Sequence, residues 1–215
     1  MRQSLAEPSR PTLRDRNRQI ARDVVLDAAE RLLQQGEPAD FSMRALAAEA
    51  GVGFATPFNH FGSKNAIMQA LSSRLIGRMA TRFRDEAPDG DTVDRVLAMG
   101  RISIALLLEK AAVHKAVVGS LGVASPMPAS VRQNSRELWS LALGDLAGVT
   151  DDLKELAQAL LADQLAFSFR GCVSFWIAGE LQDENLGRAV QAGACISLLG
   201  FTGAKRRADL IGQLR

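Results

Sequence analysis

The sequence predicts an all-α protein with a small N-terminal helical domain and a larger C-terminal one, on three observations. Apolar residues recur at three- and four-residue spacing along most of the 215 positions, and no stretch sustains the alternation of a strand. Glycine and proline fall between these periodic stretches, where helices end. Charge divides unevenly: residues 1–84 carry 13 Lys/Arg against 8 Asp/Glu, and residues 85–215 carry 13 against 16. A basic head on a mildly acidic body suits a head that faces nucleic acid, although chance clustering on solvated helix faces would read the same way.

Residues 1–13, with Pro8 and Pro11 and no periodicity, are expected to form a disordered basic arm. Arg10, Arg14, Arg16, Arg18 and Arg22 lie close together and read either as DNA-backbone and minor-groove contacts or as a solubilising tail. A three-helix domain is expected over 14–62. Its first helix runs over about 15–35, with Ile20, Val24, Ala28 and Leu32 as the apolar row and Val25, Ala29 and Leu33 widening it. Gly36 and Pro38 end that helix, and Phe41 is expected in the core.

Ser42 is a good N-cap, and Met43, Leu46, Ala47 and Ala50 follow on one face of a short helix. Gly51 stands where a left-handed residue usually stops a helix, Val52 is an apolar plug, and Gly53 opens a second short helix reaching Phe61. Two short helices around a tight glycine turn form a helix-turn-helix, whose second helix is shaped for the DNA major groove. Ser63 then caps a connecting helix over 63–84.

The body, 85–215, opens after Pro88, Asp89 and Gly90. Helices are expected over 92–109, 111–118, 129–147, 151–178 and 185–201, with a loop at 119–128 and a basic terminal helix after Lys205.

The string Gly51-Val52, Thr56, Phe58, His60-Phe61 and Ser63-Lys64 resembles the DNA-binding domain of the tetracycline-repressor (TetR) family of bacterial transcriptional regulators. The resemblance covers roughly residues 16–75; beyond it the likeness is one of length and helical layout. It implies an N-terminal DNA-binding domain joined to a helical ligand-binding and dimerisation domain. It places Ser42, Thr56, His60 and Lys64 at phosphate-contacting positions. Lys64 also suits phosphate on physical grounds, as a cation at a helix start whose free N–H groups attract anions. Base readers would be Arg44 on the second helix and Phe54, Ala55, Phe58 and Asn59 on the third, since Arg can pair with guanine, Asn with adenine, and Phe or Ala can meet thymine methyls. Pro57 and Phe61 are expected to face the core. The sequence departs from the family pattern at Phe58, where Tyr is usual, and at Pro57, which removes a backbone donor early in the recognition helix.

The resemblance also implies a homodimer and a small-molecule pocket. The dimer stripe would be Leu186, Ala189, Val190, Gly193, Ile196, Ser197 and Gly200, small and apolar residues on one face, which intrachain packing would explain equally. Pocket candidates are Met79, Phe83, Ile104 and His114, with Trp139, Phe167, Arg170 and Trp176. Arg170 sits within an apolar run and needs either an anionic ligand or an ion pair with a residue such as Asp163 or Glu137.

The expected function is therefore a ligand-responsive transcriptional regulator, a repressor on a palindromic operator, with double-stranded DNA, a second copy and a small, largely apolar effector as partners. Two other readings stand beside it: a helical dimer acting through protein partners, and a helical-bundle enzyme. The sequence has no GxSxG elbow and no Walker loop, and His60 and His114 lack metal-spaced carboxylates. Gly51-Val52-Gly53 fails as a dinucleotide fingerprint, because Thr56 stands at the third glycine and a helix precedes it. No catalytic residue, cofactor or metal is expected. Cys172 and Cys195 read as buried structural thiols or a redox pair. No apolar run approaches the roughly 20 residues of a membrane span, and no apolar leader opens the chain, so a cytoplasmic protein is expected.

Overall fold

The computed structural model describes residues 12–36, 39–121 and 130–215. Residues 1–11 of the expected basic arm (with Arg10), the Pro38 stop and residues 122–128 of the expected 119–128 loop lie outside the described residues; Leu13 is already helical, and Gly119 and Ser120 extend the helix before the loop. Ten α-helices and no strand occur among the described residues, and the chain divides into two compact units after Ile67.

The first unit contains α1 (Leu13–Gln35), α2 (Met43–Glu49) and α3 (Ala55–Phe61). Thr12 caps α1 in a reciprocal arrangement with Asp15. Val25, Ala28, Ala29 and Leu33 are buried with Phe41, Leu46 and Phe61, while Ile20 and Val24 are exposed. This corrects the expected leading row on α1. Two rows of i+4 spacing run side by side on any helix, and periodicity alone does not say which one the neighbouring helices cover.

The second unit holds α5 (Thr92–Glu109), α6 (Ala111–Ser120), α7 (Val131–Leu143), α8 (Lys154–Ile177), α9 (Asp183–Leu199) and α10 (Ala204–Leu214). Helix α4 (Lys64–Glu86) starts in the first unit and continues into the second. Helices α5, α7, α8 and α9 pack around a core that includes Met99, Ile102, Trp139, Leu161, Leu165, Trp176, Leu186 and Leu198. Helix α7 ends four residues before the expected stop. Gly144 takes a left-handed conformation there, and Arg95 donates to the last-turn carbonyls of Leu141 at 3.0 Å and Ala142 at 3.1 Å. At the chain's end, Arg206 of α10 pairs with Asp91 at 3.0 Å and with Asp94, the two residues of the α5 capping box.

Candidate functional site

The turn between α2 and α3 is built by its glycine. Gly51 has φ +64°, its N–H donates to the Ala48 carbonyl at 3.1 Å, and the Val52 N–H donates to the Ala47 carbonyl at 3.0 Å. That pair of bonds is a Schellman closure, which satisfies the last carbonyls of α2 and reverses the chain toward α3. Ser42 caps α2 by accepting from the Ala45 N–H at 3.1 Å, leaving Arg44 exposed in its first turn.

Helix α3 has two faces. Pro57 and Phe61 are buried. Phe54, Ala55, Phe58 and Asn59 point outward, and the two phenyl rings meet edge to face with centroids 5.5 Å apart. Exposure of 58% at Phe54 and 40% at Phe58 is costly for apolar rings in water, so this patch awaits a partner surface. Pro57 sits in the first turn, where a backbone donor has no intrahelical acceptor to lose. Thr56 is half-buried.

Three side chains hold α3 and its flanks in place. Arg22 donates to the His60 carbonyl at 2.5 Å and lies 4.2 Å from the centroid of the Phe61 ring, a cation set at the C-terminal end of the helix. Arg22 thus already has partners inside the unit, whereas Arg14, Arg16 and Arg18 are exposed on α1. Arg31 bonds Glu49 at 2.5 Å and ties α1 to α2. Lys64 pairs with Asp40 and lies 5.0 Å from the Phe41 ring centroid. The Lys64 bond, helped by the Phe41 N–H, holds the Asp40 carboxyl below its ordinary pKa. The expected phosphate anchor thus already has a carboxylate partner, and a phosphate would have to compete for it. His60 is half-buried, and its Nδ1 is enclosed without a hydrogen-bond partner.

In the second unit a cavity of about 270 Å³ opens among α4, α5, α6, α7 and α8. Four of the eight expected pocket residues line it: Met79, Trp139, Phe167 and Arg170. The other four do not. Phe83 and Trp176 are core residues, with Trp176 donating to Asp183 at 2.6 Å. Ile104 borders a different hollow, of about 360 Å³, between α5 and α9. His114 is buried with its Nδ1 2.7 Å from the Leu107 carbonyl. Arg170 has neither of the expected ion pairs: Asp163 bonds Arg132 at 3.2 Å and Arg136 at 3.4 Å, and Glu137 accepts from Gln133 at 2.7 Å. Arg170 donates instead to the Val118 carbonyl at 3.2 Å, and burial pushes its pKa down. Both cysteines are free thiols whose pKa burial raises, which disfavours the reactive thiolate.

Residues 25–71 match the family model described as bacterial regulatory proteins, tetR family. The head that carries the outward face of α3 is the part matched. That match makes the head, and not the whole chain, similar to the DNA-binding domain of the TetR family. Uncharacterized HTH-type transcriptional regulators of two Mycobacterium tuberculosis strains are each 39% identical over 74 residues. That alignment covers 34% of the chain and 37% of each relative. A TetR transcriptional regulator from Rhodococcus sp. RHA1 superposes with a TM-score of 0.67 at 21% identity, covering 86% of this chain and 99% of that one. A gamma-butyrolactone receptor described as ArpA-like superposes with a TM-score of 0.51 at 16% identity, over 92% and 96%. At these identities the solved structures share the fold.

The stripe expected to form a dimer interface needs correction. Leu186, 0% exposed, and Val190 are buried in the chain's own core. Gly193 is small because of α8: a Cβ there would meet Ser168 Oγ at 2.3 Å. Ala189 and Ser197 are half-buried, which leaves Ile196, 62% exposed, and Gly200 open. The alternative of intrachain packing therefore accounts for most of the stripe. Sequence reading missed a different row: Leu156, Leu160, Phe167 and Phe175 of α8 are exposed at intervals of four, seven and eight residues. Its signal was present but masked, because α8 is apolar nearly all round and no polar face marks its outer side.

Proposed function

We propose that this chain is a ligand-responsive repressor of the TetR family that occupies a palindromic operator as a homodimer. The observation that carries the proposal is the outward face of α3, where Phe54, Ala55, Phe58 and Asn59 stand exposed on a helix locked from behind by Arg22, Pro57 and Phe61. Arg44 would pair with a guanine edge, Asn59 with adenine, and the two rings with thymine methyls. Ser42, Thr56, His60 and Lys64 would position the backbone, Lys64 by exchanging Asp40 for a phosphate oxygen. Two copies would join through the exposed apolar row of α8 with Ile196 and Gly200 of α9 in the 85–215 domain, presenting paired recognition helices to half-sites about 34–36 Å apart. An effector in the second-unit cavity would act on α4, which is continuous from the head into the body. Coupling of that kind makes effector and operator affinities reciprocal. The setting would be the cytoplasm, where the operator is; no helix among the described residues is long and apolar enough to cross a membrane.

Fluorescence anisotropy on DNA flanking the chain's own gene, against a scrambled duplex at two salt concentrations, tests the reading. A preference of about 10³-fold or more with a steep salt slope supports it. Equal weak binding, persisting through random-sequence selection, would turn the assignment toward a protein partner. Arg44→Ala is expected to weaken operator binding by about 1–3 kcal/mol and relax one base position. Uniform loss on every sequence would make Arg44 a phosphate contact.

A further inference from the structure

We infer that the second-unit cavity takes an acid: a small monocarboxylate with an apolar body, its carboxylate held by Arg170 and its body lying against Met79, Leu107 and Trp139. This rests on the reading of the cavity as the effector site and adds the chemistry of what enters it.

Among the described residues the wall is apolar and aromatic except for two serines and two arginines, and none of those lining it is acidic. The two arginines differ. Arg132 is spent, paired with Asp163 at 3.2 Å and set 5.7 Å from the Phe167 ring centroid. Arg170 is half-buried, touches no carboxylate, and uses its guanidinium for one bond to the Val118 carbonyl in the last turn of α6. A guanidinium has five N–H donors, so most of its donor capacity is left for a ligand at the cavity wall, where a partly buried charge lacks a carboxylate. A second donor points the same way: Trp139, also lining the cavity, has a buried Nε1–H with no acceptor. Buried donors of this kind are normally satisfied, and an apolar wall that holds a cation beside no carboxylate lacks an anionic acceptor. A carboxylate supplies two oxygens and the missing charge together, and planar Arg–carboxylate pairing is the strong form of that contact. A neutral ester or lactone supplies acceptors but leaves the charge unpaired. The volume, about 270 Å³, falls at the lower end of ligand sites and suits a short acyl or single-ring acid.

The test is calorimetric titration of the full chain, without DNA, with octanoate and 4-phenylbutyrate and with their methyl esters. Expected is tighter binding of the acids by about tenfold or more, the range of a hydrogen bond to a charged group. Arg170→Gln should abolish that preference, bringing acid binding down to the level of the ester, and Arg170→Lys should retain part of it. Acids and esters binding alike, a preference that survives Arg170→Gln, or no binding of either acid by the folded chain would each overturn the assignment. If Arg170→Gln does not fold by circular dichroism, the acid–ester comparison on the native chain decides alone. Operator anisotropy separates this inference from the regulator reading. Acid binding without any operator defeats the regulator reading only; operator release by the esters, with the acids inert, defeats the acid assignment only.

Discussion

The two units of this chain differ in the kind of group they leave without an internal partner. In the first, Arg22 and Arg31 have named internal partners, and two phenylalanines in edge-to-face contact stand outward on α3 beside Asn59. In the second, Arg132 and Arg206 form ion pairs while Arg170 is drawn inward with a carbonyl for company. The head thus exposes rings that water disfavours, and the body buries a charge that an apolar wall disfavours. Each is a local cost that a partner of opposite character would remove, which is how functional sites commonly depart from otherwise consistent packing.

The largest effect that would break this comparison apart is loss of the head's core. Leu46→Ala, at a fully buried position, is expected to cost about 2–5 kcal/mol and to unfold the first unit first. Both tryptophans lie in the second unit and the chain has no tyrosine, so tryptophan emission follows the body while far-ultraviolet circular dichroism follows all helices. Denaturation curves from the two probes should separate in this variant; coincident curves would mean the units unfold as one.

Next in size, the exposed rings can be tested against the DNA rather than the protein. Phe54→Ala with Phe58→Ala should weaken operator binding by about 1–3 kcal/mol, and replacing operator thymines by uracil should produce a loss that does not add to it. Additive losses would place the rings elsewhere than on thymine methyls.

In the body, Arg206→Met should destabilise the second unit by about 1–2 kcal/mol, discounted for partial exposure, as read from the tryptophan denaturation midpoint. Burial raises the Asp94 pKa, but its bonds to Arg206 and the Asp91 N–H outweigh this and hold it below its ordinary value. A lowered carboxylate pKa gives stability that is present above the unfolded value, near pH 4, and lost as pH falls through the folded one. The destabilisation by Arg206→Met should therefore shrink on acidification through that range.

The smallest expected effect concerns Lys64. Asp40→Asn removes its internal partner, so operator affinity should rise slightly and the salt dependence should steepen by about one phosphate contact. An unchanged salt slope would mean that Lys64 does not meet phosphate.

What could be read from the sequence follows the distance over which each feature is decided. Ser42, Gly51, Pro57 and Ser63 act within a few residues of themselves, through caps and a left-handed turn, and the helix-turn-helix and its outward residues were legible from them. Helix positions in the body were legible too, apart from the end of α7, where Gly144 and the distant Arg95 close the helix before Gly148 does. Features decided by packing between remote segments were not legible. Which i+4 row of α1 turns inward depends on where α2 and α3 lie, and the fate of Leu186 and Val190 depends on α9 lying against α5 and α8. Arg170 shows both sides: a lone charge in an apolar run was visible in sequence as an anomaly. That Asp163 is taken by Arg132 and Arg136, leaving Arg170 in a cavity wall without an acid, was decided only by tertiary structure, because partner choice is a matter of spatial proximity that no local periodicity records.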